Sequence, residues 1–434
     1  MSDVPPLTTR PQLSARVILL ILATVQFTSI VDFMVIMPLE PQLARTMGLS
    51  PAQFGLVVSS YTYAAGLAGL VASLFLDRFA RRPAFLMLYA GFLIGTLACG
   101  LAPTFLTLLA ARFLTGTFGG VLGGMALAII GDVFPEEKRG AATGVLMSSF
   151  ALASVFGVPL GLSLGQWYGW HVPFLGLAVL GVPILFLAAR TLPRLDAHLA
   201  HAQLTHPVAQ LRSIFSEPNH LRAFALTSTL MFGGFAVLPF LSPYFVANVH
   251  VAENHLPLAY IVGGALTLVG APLIGRLADR FGKLRIYRLV APVTAVMMLV
   301  VTNLPPVPLV VAVIVMGGMM LSNAGRMVPA MAMITSSVLP HKRGGFLGAN
   351  AAVQHMAAGL GATVGGMCLV KADDGSLEYF PLVGVIGATV TLASLWFAGH
   401  LRLAQESPQP HLDTSLAAAA QGAVDAGEPL ASLE

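Results

Sequence analysis

Long apolar runs and short charged breaks alternate along the whole chain. Twelve runs are predicted as spanning helices, at 16–39, 53–76, 83–103, 105–133, 140–165, 170–190, 221–247, 256–278, 285–303, 307–336, 345–370 and 380–401. Each is close to or above the about 20 residues that carry a helix across a bilayer core. The fourth run holds Gly116, Gly119, Gly120, Gly123 and Gly124. Such a helix would be weak in water, but in lipid small residues let neighbouring helices approach closely. The pattern predicts an all-α integral membrane protein with twelve transmembrane helices.

Composition agrees. The 434 residues are 56% hydrophobic and only 10% charged, with a mean hydropathy of +0.82. A soluble domain is nearer about 25% charged. That much apolar surface cannot be hidden inside a wettable exterior, so lipid must be the solvent. The net charge of +4 does not indicate nucleic acid, because the basic residues sit in short turns between apolar runs. Cys99 and Cys368 lie inside apolar runs, read as small packing residues, and no metal-ligand spacing occurs. The first run is too long for a signal peptide's central region and no small-residue cleavage site follows it, so it is expected to be retained.

The loops set the orientation. One side carries Arg78, Arg81, Arg82, Lys138, Arg139, Arg190, Arg194, Arg212, Arg276, Arg280, Lys283, Arg285, Arg288, Lys342 and Arg343, while the other carries only Arg45 and Lys371. With Arg10, Arg16 and Arg402 on the rich side, the positive-inside rule places both termini in the cytoplasm.

A longer polar connection divides the runs six and six. The expected organisation is a tail (1–15), a first six-helix bundle (16–190), a linker (191–220), a second bundle (221–401) and a tail (402–434). The last tail is rich in Ala, Pro and acids and is expected to be disordered. The linker histidines, His198, His201, His206 and His220, are read as solvated rather than metal-binding. The halves repeat each other. Asp77-Arg78-Phe79 returns as Asp279-Arg280-Phe281 (279 − 77 = 202), and Arg139-Gly140 as Arg343-Gly344 (343 − 139 = 204). Gly157-x-x-x-Gly161 returns as Gly361-x-x-x-Gly365, again at 204. Six spans per copy make the repeat parallel, which favours a site shared between two rocking halves.

Gly275-Arg276-Leu277-Ala278-Asp279-Arg280-Phe281-Gly282-Lys283 resembles the major facilitator loop signature G-x-L-A-D-R-x-G-R/K. The first-half copy keeps Asp77, Arg78, Arg81 and Arg82 but has Ser73 and Ala80 in place of the glycines. Arg112 with Gly116 resembles the R-x-x-x-G signature of the fourth helix, and Gly157-Val158-Pro159-Leu160-Gly161 the fifth-helix signature of proton-coupled antiporters. On these motifs the chain resembles major facilitator transporters. Within them it is most similar to the drug:proton antiporter and arabinose-efflux-permease group, through Gly157–Gly161 running into Gly169-Trp170 and through Gly325-Arg326-Met327-Val328-Pro329. The resemblance implies two parallel six-helix bundles, a monomer in the inner membrane, a small-molecule substrate, and no cofactor beyond a coupling proton. It also implies a latch on the cytoplasmic side, in which Asp77 faces the start of the eleventh helix and Arg81 meets Asp132. Plain topological charge would explain the same residues.

Ionisable side chains inside spans are costly and are functional candidates. Asp32 and Arg112 fall at similar depth in the first and fourth spans, which the resemblance places side by side. They are expected to pair when the site is empty. Burial disfavours a charged carboxylate while a neighbouring guanidinium favours it, which suits a group that takes and releases a proton. A static ion pair, or Asp32 bonded to Thr28, is the plainer reading. Arg326 lies deep in the tenth span, with Asn350, Gln354 and His355 offered by the eleventh. His355 could carry a proton, though a polar interhelical clamp explains it as well. Gln26, Ser29, Tyr61 and Tyr63 are further cavity candidates. Gly157, Pro159 and Gly161 would bend the fifth helix and let it pack closely.

These features point to secondary transport of a small organic solute, with proton-coupled efflux leading. A uniporter or importer of a sugar or organic anion is the alternative within transport, and a non-transporting membrane sensor the alternative outside it. An enzyme is not indicated, since no nucleotide loop, metal cluster or nucleophile with its base is present.

Overall fold

The computed structural model describes residues 15–75, 78–193, 195–196, 207–339, 343–402 and 404. The first half comprises α1 (Ala15–Val35), α2 (Glu40–Met47), α3 (Pro51–Phe75), α4 (Arg81–Gly100), α5 (Phe105–Val133), α6 (Glu136–Leu152), α7 (Val158–Tyr168) and α8 (His171–Thr191). The linker contributes α9 (Pro207–Ser216). The second half comprises α10 (Pro218–Val237), α11 (Leu241–Ala247), α12 (Leu256–Phe281), α13 (Lys283–Thr302), α14 (Leu309–Ser336), α15 (Arg343–Cys368) and α16 (Phe380–His400). Among the described residues, eleven helical stretches are long and apolar enough to cross a membrane, with α6 and α7 counted as one and α10 and α11 as one. The predicted eleventh span is the exception. α15 is a 26-residue helix, but its glycines, Asn350, Gln354 and His355 dilute its hydropathy.

The helices turn the globular rule inside out. In α5, Arg112, Thr115 and Gly116 are buried while Leu106, Phe113 and Leu114 face outward. Lipid is as apolar as leucine, so packing small and polar groups inside and lining the exterior with apolar ones leaves no unmatched surface.

Four features depart from the sequence expectation. α2 is a short extra helix between the first two spans. The chain is not purely α, because β1 (Val370–Lys371) pairs antiparallel with β2 (Leu377–Glu378) between α15 and α16. The linker holds α9, and α10 begins at Pro218 rather than 221. His220 is buried rather than solvated: its Nδ1 lies 3.1 Å from the Ile214 carbonyl and its ring 4.9 Å from that of Phe346. The other linker histidines, residues 1–14 and those beyond 404 lie outside the described residues.

The internal repeat is visible in three dimensions. Arg139 Nε donates to the Phe134 carbonyl at 3.0 Å and Arg343 Nε to the Val338 carbonyl at 3.1 Å. Both ends of that bond repeat at 204 (343 − 139 and 338 − 134). The start of α4 is tied to the end of α5 by Arg81–Asp132, and the start of α13 to the end of α14 by Lys283–Ser336.

The halves meet most tightly at the end of the bundle opposite the termini, here called the far end. Arg45 on α2 pairs with Glu253, just ahead of α12, and α2 packs on α11. α3 and α15 share a glycine seam: a Cβ on Gly55 would lie 2.6 Å from the Ala362 carbonyl, and one on Gly366 2.7 Å from that of Pro51. The far end is therefore sealed in this conformation.

Candidate functional site

Asp32 sits three residues before the end of α1, and Arg112 lies two turns into α5. Arg112 Nη1 donates to Asp32 Oδ2 at 2.8 Å and to the Asp32 carbonyl at 3.3 Å. Both side chains are completely buried. Thr96 on α4 donates to the other carboxylate oxygen at 3.1 Å. The Arg112 guanidinium lies 4.5 Å over the Tyr61 ring, where the π face favours a cation. Its Nε and Nη2 have no hydrogen-bond partner among the described residues. The expected pair is present; the alternative, Asp32 on Thr28, is not. Thr28 instead bonds the Val25 carbonyl and approaches the Tyr89 hydroxyl.

The fifth-helix glycines place Asp32. A Cβ on Gly157 would stand 2.2 Å from Val31 Cγ2, and one on Gly161 2.6 Å from Val35 Cγ2, so α1 lies directly on these glycines. Between α6 and α7 the residues Ala153–Gly157 form a π turn. Pro159 has no N–H to return to the preceding turn, and the widened ladder absorbs that loss. The same turn touches the second half, where Gly264 of α12 packs on Ser154 and Val155. An aromatic chain also reaches the second half: Tyr61 lies 5.1 Å from Phe33 within the first half, and Phe33 lies 5.8 Å from Phe235 across the halves.

The ion pair has no counterpart in the second half. Adding the repeat offset of 202 to 204 to Asp32 lands on Gly234 to Ala236, and adding it to Arg112 lands on Ile314 to Met316. None of these is ionisable. The fold therefore duplicates the packing glycines and loop ties but not this pair, so the pair is not a requirement of the architecture.

Arg326 is equally buried but differently held. Its guanidinium donates to Asn323 at 2.8 Å, to Thr391 on α16 at 2.7 Å and to the Leu230 carbonyl on α10 at 2.9 Å. This is the interhelical clamp of the plainer reading, made with other helices than the α15 whose Asn350, Gln354 and His355 the sequence offered. The hydrogen-bond partners of Arg326 are neutral and come from α10, α14 and α16, because α15 packs on the other side of α10, against α3. Asn350 is likewise corrected: it is 2% exposed, accepts a 2.7 Å bond from Thr227, and clamps α15 to α10 instead of lining a cavity. Thr391→Val is expected to lower stability by about 1.5–3 kcal/mol, the worth of a hydrogen bond to a charged group. A thermal-unfolding series in detergent would check it.

The remaining candidates divide. Gln26 Oε1 is buried without a partner among the described residues, close to Gly123. Ser29 is buried beside Tyr61. Tyr63 bonds Thr363 across the halves at 3.1 Å, while Gln354 and His355 are half-buried on α15. In the loops, Arg81 Nε meets Asp132 Oδ2 at 3.3 Å, as expected, and Arg82 donates to the Ala189 carbonyl. Arg78 folds over the Phe75 ring, and Arg280 over Phe281. Gly282 takes φ +96°, the left-handed turn that needs glycine, while Gly275 sits beside Val328 and Asp279 is exposed. Asp77 lies outside the described residues. Sequence reasoning missed Thr96 and Phe235; a lone threonine in the third apolar run was the available signal.

Comparison with known proteins agrees with this architecture. Over 245 residues the chain is 29% identical to the inner membrane transport protein YdhP of Escherichia coli, covering 56% of this chain and 61% of that protein. It is 25% identical to a probable sugar efflux transporter of Pasteurella multocida, covering 60% of this chain and 62% of the relative. The match thus spans about three fifths of these relatives' length. The crystal structure of a D-xylose–proton symporter superposes with a TM-score of 0.73 at 15% identity, covering 90% of this chain and all of that one. The profile of the Major Facilitator Superfamily matches residues 22–361 and, separately, 223–425. A match of that extent, on a fold built from two parallel copies, makes this chain a member of the Major Facilitator Superfamily.

Proposed function

We propose that the protein is a proton-coupled exporter of a small organic solute, sugar-like or drug-like, working as a monomer in the inner membrane with its basic end cytoplasmic. The observation that carries this is the unrepeated Asp32–Arg112 pair, fully buried and in contact through Tyr61 and Phe33 with the second half. Protonation of Asp32 would cancel the attraction that holds Nη1. The guanidinium, with two donors already unengaged, could then turn to a substrate oxygen. Proton and substrate would compete for one pair, and competition of that kind yields exchange. The names of the relatives, an inner membrane transport protein and a probable sugar efflux transporter, support the location and the direction.

The test is purified protein in liposomes with a pH-sensitive dye trapped inside, screened against drugs, sugars and organic acids. Substrate-dependent proton flux is expected in the wild type and should fall at least tenfold in Asp32→Asn. Substrate movement without proton flux, unchanged by Asp32→Asn, would sink the reading. A uniporter or importer of an organic anion is the second reading, favoured by Arg326, a buried cation whose hydrogen-bond partners are all neutral. Absence of any flux would leave a membrane sensor.

A further inference from the structure

The side of the bundle poor in basic residues carries Arg45 and Lys371, and the structure brings both to the seam between halves. Arg45 on α2 forks onto Glu253 of the second half, with Nη2 to Oε2 at 2.8 Å. Gln166 on α7 donates to the Glu253 carbonyl from the first half. Glu40, at the start of the same α2, is only 5% exposed. The charges acting on it are Lys371 of the second-half hairpin, then Arg45, then Glu253. Each half therefore lends one acid and one base: Glu40 and Arg45 from the first, Glu253 and Lys371 from the second. A cleft of about 480 Å³, lined by Gln42, Arg45, Gln166, Trp167 and Glu253 among others, lies beside this cluster.

Glu40 differs from the other three, since Arg45 and Lys371 are exposed and Glu253 is partly so. A buried carboxylate between two halves that must separate has one environment when they touch and another when they part. We propose that Glu40 is a proton-binding site within a four-residue clamp that seals the far end, and that loss of its proton favours opening of that end.

Burial pushes the Glu40 carboxyl up to about 7, against the pull of Lys371 and Arg45. Opening would hydrate it and return it toward its ordinary 4.5. The sealed state thus binds the proton more tightly, so sealing is favoured below pH 7 and weakened as pH rises through it. Between pH 5.5 and 8.5 the opening equilibrium should shift on the order of thirtyfold. Among the described residues, other elements packed on α2 bring no further charge to Glu40: α7 offers Gln166, and α11 offers Tyr244, whose hydroxyl is held by the Leu304 carbonyl. His250 and His255 belong to the same end, which makes a Glu40 control essential.

The experiment is a spin-label distance across the far end, between Leu101→Cys and Asn303→Cys, in full-length protein in nanodiscs with Cys99 and Cys368 replaced by alanine. Both label sites are exposed and outside the cluster. The wild-type background should shift from short to long distances between pH 5.5 and 8.5. Glu40→Gln should stay short at both, Arg45→Glu should be long at both, and Arg45→Glu with Glu253→Arg should return to short. A pH response unchanged in Glu40→Gln would overturn the proton site, and a charge swap that does not restore the short distance would overturn the clamp. If Arg45→Glu fails to fold, Glu253→Gln supplies the weakened clamp by removing the acceptor of the Arg45 fork, and a distance no longer than that of the parent would count against it. The readout is a distance rather than a flux, so it stands or falls separately from coupling at Asp32.

Discussion

Asp32→Ala is expected to destabilise the protein by about 3–5 kcal/mol and to abolish transport, while Asp32→Ala with Arg112→Met recovers most of the stability and none of the transport. The single change strands a guanidinium that is 0% exposed. Water cannot reach it, and the Tyr61 ring and the Asp32 backbone carbonyl are too weak to replace a carboxylate. Removing one partner of a buried pair costs about 3–5 kcal/mol, whereas replacing both by apolar groups is often near neutral. The two changes should therefore be strongly non-additive in a double-mutant cycle. Thermal unfolding in detergent, paired with flux in liposomes, separates the two effects. A double variant that transports would remove the pair from the mechanism.

Two glycines in one helix should behave oppositely. A Cβ on Gly116 would lie 2.2 Å from the Tyr61 carbonyl oxygen and 2.8 Å from its carbonyl carbon, both backbone atoms that cannot swing aside. Gly116→Ala must push α3 off α5, at about 1–3 kcal/mol for overpacking and with Tyr61 displaced from beneath Arg112. A Cβ on Gly124 would meet nothing within 4 Å. Gly124→Ala should be neutral or raise stability by up to about 1 kcal/mol, the helix-propensity difference. Unfolding temperatures in one detergent test both, and a Gly124→Ala variant as unstable as Gly116→Ala would refute the packing argument.

Much of this molecule was readable from its residues. The spans were, because a bilayer demands about 20 apolar residues per crossing and little else. So was the repeat, since Arg139 and Arg343 tie their own helix starts by the same local bond in both copies. The Asp32–Arg112 pair was too, once the family resemblance set the first and fourth spans side by side: two opposite charges stranded in apolar runs have few ways to be satisfied. Arg326 was read less well. A deep arginine needs acceptors, but neutral ones on any neighbouring helix will serve, and the chain does not say which neighbour lies within reach. Here it is α16 and α10, not α15.

Hydropathy by itself determined most of the spanning helices, because those depend on each segment's own transfer between water and lipid, and the recurring motifs determined the two-copy plan. Only the tertiary structure decided which of the glycines at 116 and 124 touches backbone, that Asn350 clamps α15 to α10, and that Glu40, Arg45, Glu253 and Lys371 meet at one seam. Those facts depend on which helix faces are opposed across the interior. Small and polar residues on every helix are compatible with many such pairings, and close packing selects one.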